Sequence, residues 1–146
     1  MRRRSILAVV AVSALAGCRS SNRNPSPAPG PGQVRMTLTC LSDGSLGFAL
    51  VPWSVKLPDK HAAFTWINDP SSNVDGVIAA QNQQYPFGGR QFTAHHGASV
   101  VGKPDVGTPE GTYKYSVTAI CPKAGGGLDT TVVDPDMIIP WKIDQT

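Results

Sequence analysis

The chain has 146 residues, with 13 lysines and arginines against 10 aspartates and glutamates, 15 glycines, 13 prolines and three cysteines. The formal charge of +3 belongs to its beginning: Arg2, Arg3, Arg4, Arg19 and Arg23 all precede residue 33, and residues 33 to 146 hold 8 basic and 10 acidic side chains. That distribution excludes the clustered basic face that a nucleic-acid binder needs.

Arg2 to Arg4 are followed by an apolar run from Ile6 to Ala16. Its length suits a signal-peptide core and falls short of the roughly 20 apolar residues that span a bilayer. Leu15-Ala16-Gly17-Cys18 closes the run. Basic residues, apolar core, small residues and cysteine in this order resemble the leader and lipobox of bacterial lipoproteins. The resemblance implies a signal peptide over 1–17, cleavage before Cys18, a diacylglyceryl thioether on Cys18 and usually an acyl group on the new amino terminus. The alternative is an ordinary secretory leader cut between Ala14 and Gly17, with Cys18 incidental. Two or more acyl chains make a stable anchor, so the implied partner of Cys18 is a membrane outside the cytoplasm. Arg19 stands where the family's sorting pattern places Asp for inner-membrane retention. This implies the outer membrane facing the periplasm in a cell with two membranes, and otherwise the outer face of the cell membrane.

Residues 18–32 read as the lipidated cysteine and a disordered tether. From Arg19 to Gly32 there is no large apolar side chain, and prolines alternate with small residues from Pro25 onward. Such a segment buries too little surface to offset its ordering entropy. An extended polyproline-like chain of this length reaches about 40 Å at roughly 3 Å per residue.

Residues 33–146 are of a size that suits one domain. Val34, Met36, Leu38 and Cys40 alternate with Arg35, Thr37 and Thr39, and Tyr113, Tyr115, Val117, Ala119 and Cys121 alternate with Lys114, Ser116, Thr118 and Ile120. This period of two predicts two strands. Shorter strands are expected over 47–51, 63–67, 74–80, 91–95, 99–101, 128–133 and 137–142. Short strands at regular spacing with glycine and proline between them predict an all-β fold, a single antiparallel β-sandwich. Cys40 and Cys121 lie on the apolar-facing register of the two clearest strands, and in an exported chain the pair reads as a disulfide. The alternative is a metal-bound or catalytic thiol.

Gly111-Thr112-Tyr113-Lys114-Tyr115-Ser116-Val117-Thr118-Ala119 and Val133-Asp134-Pro135-Asp136-Met137-Ile138-Ile139 resemble the last strands of small bacterial immunoglobulin-like or cupredoxin-like sandwiches. The cupredoxin resemblance implies copper held by two His and one Cys with a weak axial ligand. Here Cys121 is followed by Pro122 and Lys123, no histidine occurs after His96, and Met137 alone cannot complete the set. The copper role is therefore not carried over, and no cofactor or metal site is expected.

Histidines 95 and 96 are consecutive, and neighbouring residues on a strand point to opposite faces, so the two rings are not expected to reach one ion. His61 and Glu110 lie in polar turns, and Asp134-Pro135-Asp136 is ordinary turn chemistry. No nucleophile elbow, phosphate loop or zinc helix occurs, so the chain does not read as an enzyme. Gln81 to Phe92 joins amides, rings and an arginine, and suits recognition of sugar or peptide. The ligand-binding candidates are Tyr85, Phe87 and Arg90, with Trp53 and Trp141, each after a proline. The alternative reading has Tyr85 and Phe87 covering the sandwich edge, and Trp66 is expected in the core. The resulting function is a membrane-anchored envelope lipoprotein, a non-catalytic binding or structural module for a protein or glycan. The alternative function is a periplasmic copper- or zinc-handling protein using His95, His96 or His61.

Overall fold

A computed structural model describes residues 26–123, 125–126 and 128–140. Its strands are β1 (Gln33–Cys40), β2 (Leu46–Val51), β3 (Ser54–Lys56), β4 (Phe64–Asn68), β5 (Gly76–Ala80), β6 (Gln91–Ala94), β7 (Ser99–Gly102), β8 (Gly111–Pro122), β9 (Leu128–Val133) and β10 (Asp136–Ile139). One sheet has the order β2-β1-β4-β7; the other runs β3-β10-β8-β5-β6, with β9 also pairing β8. The expected all-β sandwich is what forms, with no helix among the described residues. Residue 141 and those after it, Trp141 included, lie outside the described residues.

The sheets depart from a purely antiparallel arrangement in two places. β1 pairs β4 in parallel, Val34 opposite Trp66, and β10 pairs β3 in parallel, Met137 opposite Val55. The cause is the passage from β2 to β3. Pro52 cannot donate to a sheet, and at Val51-Pro52-Trp53 the chain leaves the first sheet to continue as β3 in the second. The turn after β3 then brings β4 back to the first sheet from the end at which β1 begins.

The alternation read in the sequence fills the space between the sheets. Val34, Met36 and Leu38 from β1 face Tyr115, Val117 and Ala119 from β8, and all six are buried. Trp66 is the hub of an aromatic cluster, with ring centroids 5.9 Å from Phe64, 5.9 Å from Phe87, 5.6 Å from Phe92 and 5.8 Å from Tyr115. Aromatic pairs at such distances add about 0.5–1.5 kcal/mol each beyond the area they bury. Gly102 is where β7 makes room for this cluster: a Cβ there would stand 2.7 Å from Trp66 Cζ3 and 3.1 Å from Phe92 Cζ.

Beyond β4 the chain keeps hold of β1 with isolated backbone bonds and side chains instead of a strand. Asp69 N donates to Met36 O, Ser72 Oγ accepts from Leu38 N, and Asn73 Oδ1 accepts from Cys40 N while its Nδ2 donates to Cys40 O. Short side chains that mimic a backbone partner explain why Asp-Pro-Ser-Ser-Asn follows β4 here. Asn68 is fully buried and its Nδ2 donates to both Val74 O and Ala94 O, fixing the start of the loop. On the outer face of the same sheet Arg35 Nη1 bonds Asp69 Oδ2 at 3.0 Å and Nη2 bonds Pro27 O at 3.0 Å. The proline-rich approach to the domain therefore touches it as early as Pro27.

Candidate functional site

The loop between β5 and β6 does not present its aromatics as the sequence suggested. Phe87 is fully buried and packs its ring against Phe64, Trp66 and Phe92. Arg90 Nη2 pairs with Asp105 Oδ1 at 2.5 Å, and its Nε donates to Phe87 O at 2.9 Å, so the guanidinium closes the loop that carries Phe87. Tyr85 is half-buried, in a turn whose amides at Gln84 and Tyr85 donate to Asn82 Oδ1. Trp53 is 45% exposed at the β2–β3 crossover, where its carbonyl accepts from Asp136 N. Among the described residues its ring pairs with no other aromatic. Of the five binding candidates, then, Phe87 is corrected to a core residue, while Arg90, its side chain 55% exposed, also braces the loop.

The opposite end of the sandwich carries a more developed surface. Cys40 closes β1 and Cys121 closes β8, and a disulfide joins them across the two sheets with Cα atoms 5.4 Å apart. Two shallow depressions of about 470 Å³ each adjoin it. One runs along Cys40, Leu41 and Pro122, the other along Asp75, Val77, Thr93 and His96, and both touch Asn73, Val74 and Ile120. Leu41 and Ile120 are each 49% exposed, which leaves apolar side chains beside polar rims.

His95 and His96 both turn towards Asp75 at this end. His95 Nδ1 is 2.7 Å from Asp75 Oδ2, His96 Nδ1 is 3.6 Å from Asp75 Oδ1, and the His96 amide donates to Asp75 Oδ1 at 2.9 Å. The expectation that consecutive rings diverge fails because β6 ends at Ala94; both histidines sit in the turn beyond it, where alternation no longer holds. His61 is at the other end, its amide bonded to Asp59 Oδ1. Among the described residues no group of three or more His, Cys, Asp or Glu side chains is arranged to hold a metal ion. Sequence reading missed Asp75 because it fell inside the strand expected over 74–80, and no spacing rule links it to residues 20 positions on.

The carboxylates around this end have low pKa values. Hydrogen bonds from the Ser71 hydroxyl and amide, and then the Arg35 guanidinium, hold Asp69 down to about 2 from an ordinary 3.8. Asp75 is lowered chiefly by its bond to His95 and the His96 amide, and Asp43 by the Ser45 hydroxyl and amide. A carboxyl depressed in the folded chain contributes stability that is complete above its unfolded value near 3.8 and is lost as pH falls through the folded value. Urea midpoints should therefore hold from neutrality down to about pH 4 and then fall towards pH 2. Asp69→Asn should lower the midpoint at neutral pH and shrink the acid loss; an acid loss of unchanged size in that variant removes Asp69 as a cause.

Compared with protein-family models, curated proteins and solved structures, the chain matches none.

Proposed function

We propose that this chain is a lipid-anchored protein of the bacterial envelope whose sandwich serves as a non-catalytic binding module for an envelope protein or glycan. The observation that carries the reading is Cys18 at the end of a basic, apolar and small-residue leader. The Cys40–Cys121 disulfide supports it, since such bonds persist in oxidising compartments. The strand order β2-β1-β4-β7 differs from the order of immunoglobulin sheets, and the other resemblance in the sequence is to copper-binding cupredoxin-like sandwiches. Copper chemistry of that kind has no thiolate here, because the Cys121 sulfur is bonded to Cys40. Binding is assigned to the disulfide end, where Leu41 and Ile120 flank the paired depressions.

The test has two arms. Cells fed labelled palmitate should yield a labelled chain in the membrane fraction, and Cys18→Ser should abolish the label; a variant that still takes up label ends the lipoprotein reading. Solubilised envelope passed over the immobilised protein should leave a captured component that Ile120→Lys fails to hold. Equal capture by both would move the binding surface elsewhere.

A further inference from the structure

β2 ends its sheet and pairs only with β1 among the described strands. In an antiparallel ladder alternate residues direct their N–H and C=O groups outward, so half of the six residues of β2 offer unused backbone groups along a free edge. Natural edges are protected by charge, proline, shortness or cover. The other margins of the two sheets have such devices. β3 is three residues long and carries Lys56, β6 lies between Arg90 and His95, and β7 runs into Lys103-Pro104 and packs near β6. β2 is the edge without charge: from Gly44 through Val55 not one residue is charged, and its proline, Pro52, follows the strand without interrupting it.

The side chains follow the backbone. Phe48 stands opposite Leu38 and points to the core side of the sheet, yet it is 44% exposed because no strand covers its flank. Val51 is 56% exposed at the end of the same strand, and Trp53 follows two residues on. Phe48 and Val51 thus leave apolar side chains exposed along this edge, one on each face of the sheet.

We infer that this edge is a docking surface for a second copy of the chain, β2 pairing antiparallel with β2 of the partner so that the two four-stranded sheets become one of eight. Self-pairing is the occupant the sequence favours, because a two-fold contact sets the same patch against itself and this patch holds no charge to repel its own copy. Opposed residues of an antiparallel pair share a face of the sheet, so a residue of β2 can face only one of its own parity. The registers that keep most of the strand paired are centred on Phe48 or on Ala49. Phe48 then opposes its own copy or Leu50 of the partner subunit, and the exposed ring is covered in either case. Pairing consumes the edge, so assembly stops at two.

The test is sedimentation velocity of the full chain in detergent micelles, at concentrations up to about 100 μM, a range that reveals a micromolar dimer. The expected result is a monomer–dimer equilibrium. Ala49→Lys, at an exposed position that leaves the core untouched, should raise the dissociation constant by at least about tenfold, because like charges then meet across the pair. Ala49→Glu should do the same, and an equimolar mixture of the two variants should recover the dimer. A wild-type monomer at the highest concentration, a dimer indifferent to Ala49→Lys, species larger than two, or no recovery on mixing would each overturn the inference. A monomer that binds some other envelope strand counts among the first of these.

Discussion

Cys40→Ala with Cys121→Ala should lower the stability of the folded domain by about 4–5 kcal/mol, the loop-closure entropy returned to the unfolded chain when two residues 81 positions apart are released. The bond joins the last residue of β1 in one sheet to the end of β8 in the other, so it spans nearly the whole of the sandwich in sequence while lying at one end of it in space. A domain of this size is stable by only about 5–15 kcal/mol in total. Losing the bond therefore consumes a large share of the margin and should bring the melting temperature down by roughly 15–20 °C. Calorimetry of the wild type with and without reductant, beside the double variant, measures this. Reduced wild type and double variant should melt together, since what is lost is the same constraint on the unfolded chain. A difference below about 1 kcal/mol between oxidised and double-variant protein would mean that the unfolded chain is already compact around these residues.

Much of the frame was legible in the residues because it rests on local repetition. Val34 to Cys40 and Tyr113 to Cys121 alternate strictly, one face of each is buried, and the cysteines that end them meet. What escaped depends on which strand sits beside which. Period two gives a strand its faces but not its neighbours, so nothing in Phe64-Thr65-Trp66-Ile67 announced that β4 would lie parallel to β1. Three residues after a proline were too few to read as β3. The same limit hid the Asp75 cluster, since a carboxylate in a turn and two histidines in another become partners only when β5 and β6 are laid side by side. Trp66 could be placed in the core from its own strand, whereas the glycine that accommodates it, Gly102, lies two strands of sequence away and shows its purpose only against the ring.

The Gln81 to Phe92 loop is where local reading and packing disagree most, and it supplies the second large effect: Phe87→Ala should cost about 3–5 kcal/mol, the range for removing a fully buried phenylalanine. Tyr-Pro-Phe-Gly-Gly has the composition of an exposed turn, and the glycines do adopt positive φ, 58° at Gly88 and 75° at Gly89. That turn, however, points one ring inward. Phe87 sits 5.0 Å from Phe92 and 5.9 Å from Trp66 between ring centroids, and Arg90 anchors its carbonyl. Loss of the ring leaves a cavity between Phe64 and Trp66 of β4 and Phe92 of β6, which their strands hold in place, so little collapse can fill it. Phe87→Leu, which keeps most of the volume, should cost less than about 1.5 kcal/mol. Tyr85→Ala, at a half-buried position two residues away, should remain within about 1 kcal/mol. Urea unfolding of the three variants gives the ranking, and near-ultraviolet circular dichroism should show the Trp66 environment altered only when Phe87 is truncated. If Tyr85→Ala proves as costly as Phe87→Ala, the loop is held by its outer ring and the inward anchor described here is not what fixes it.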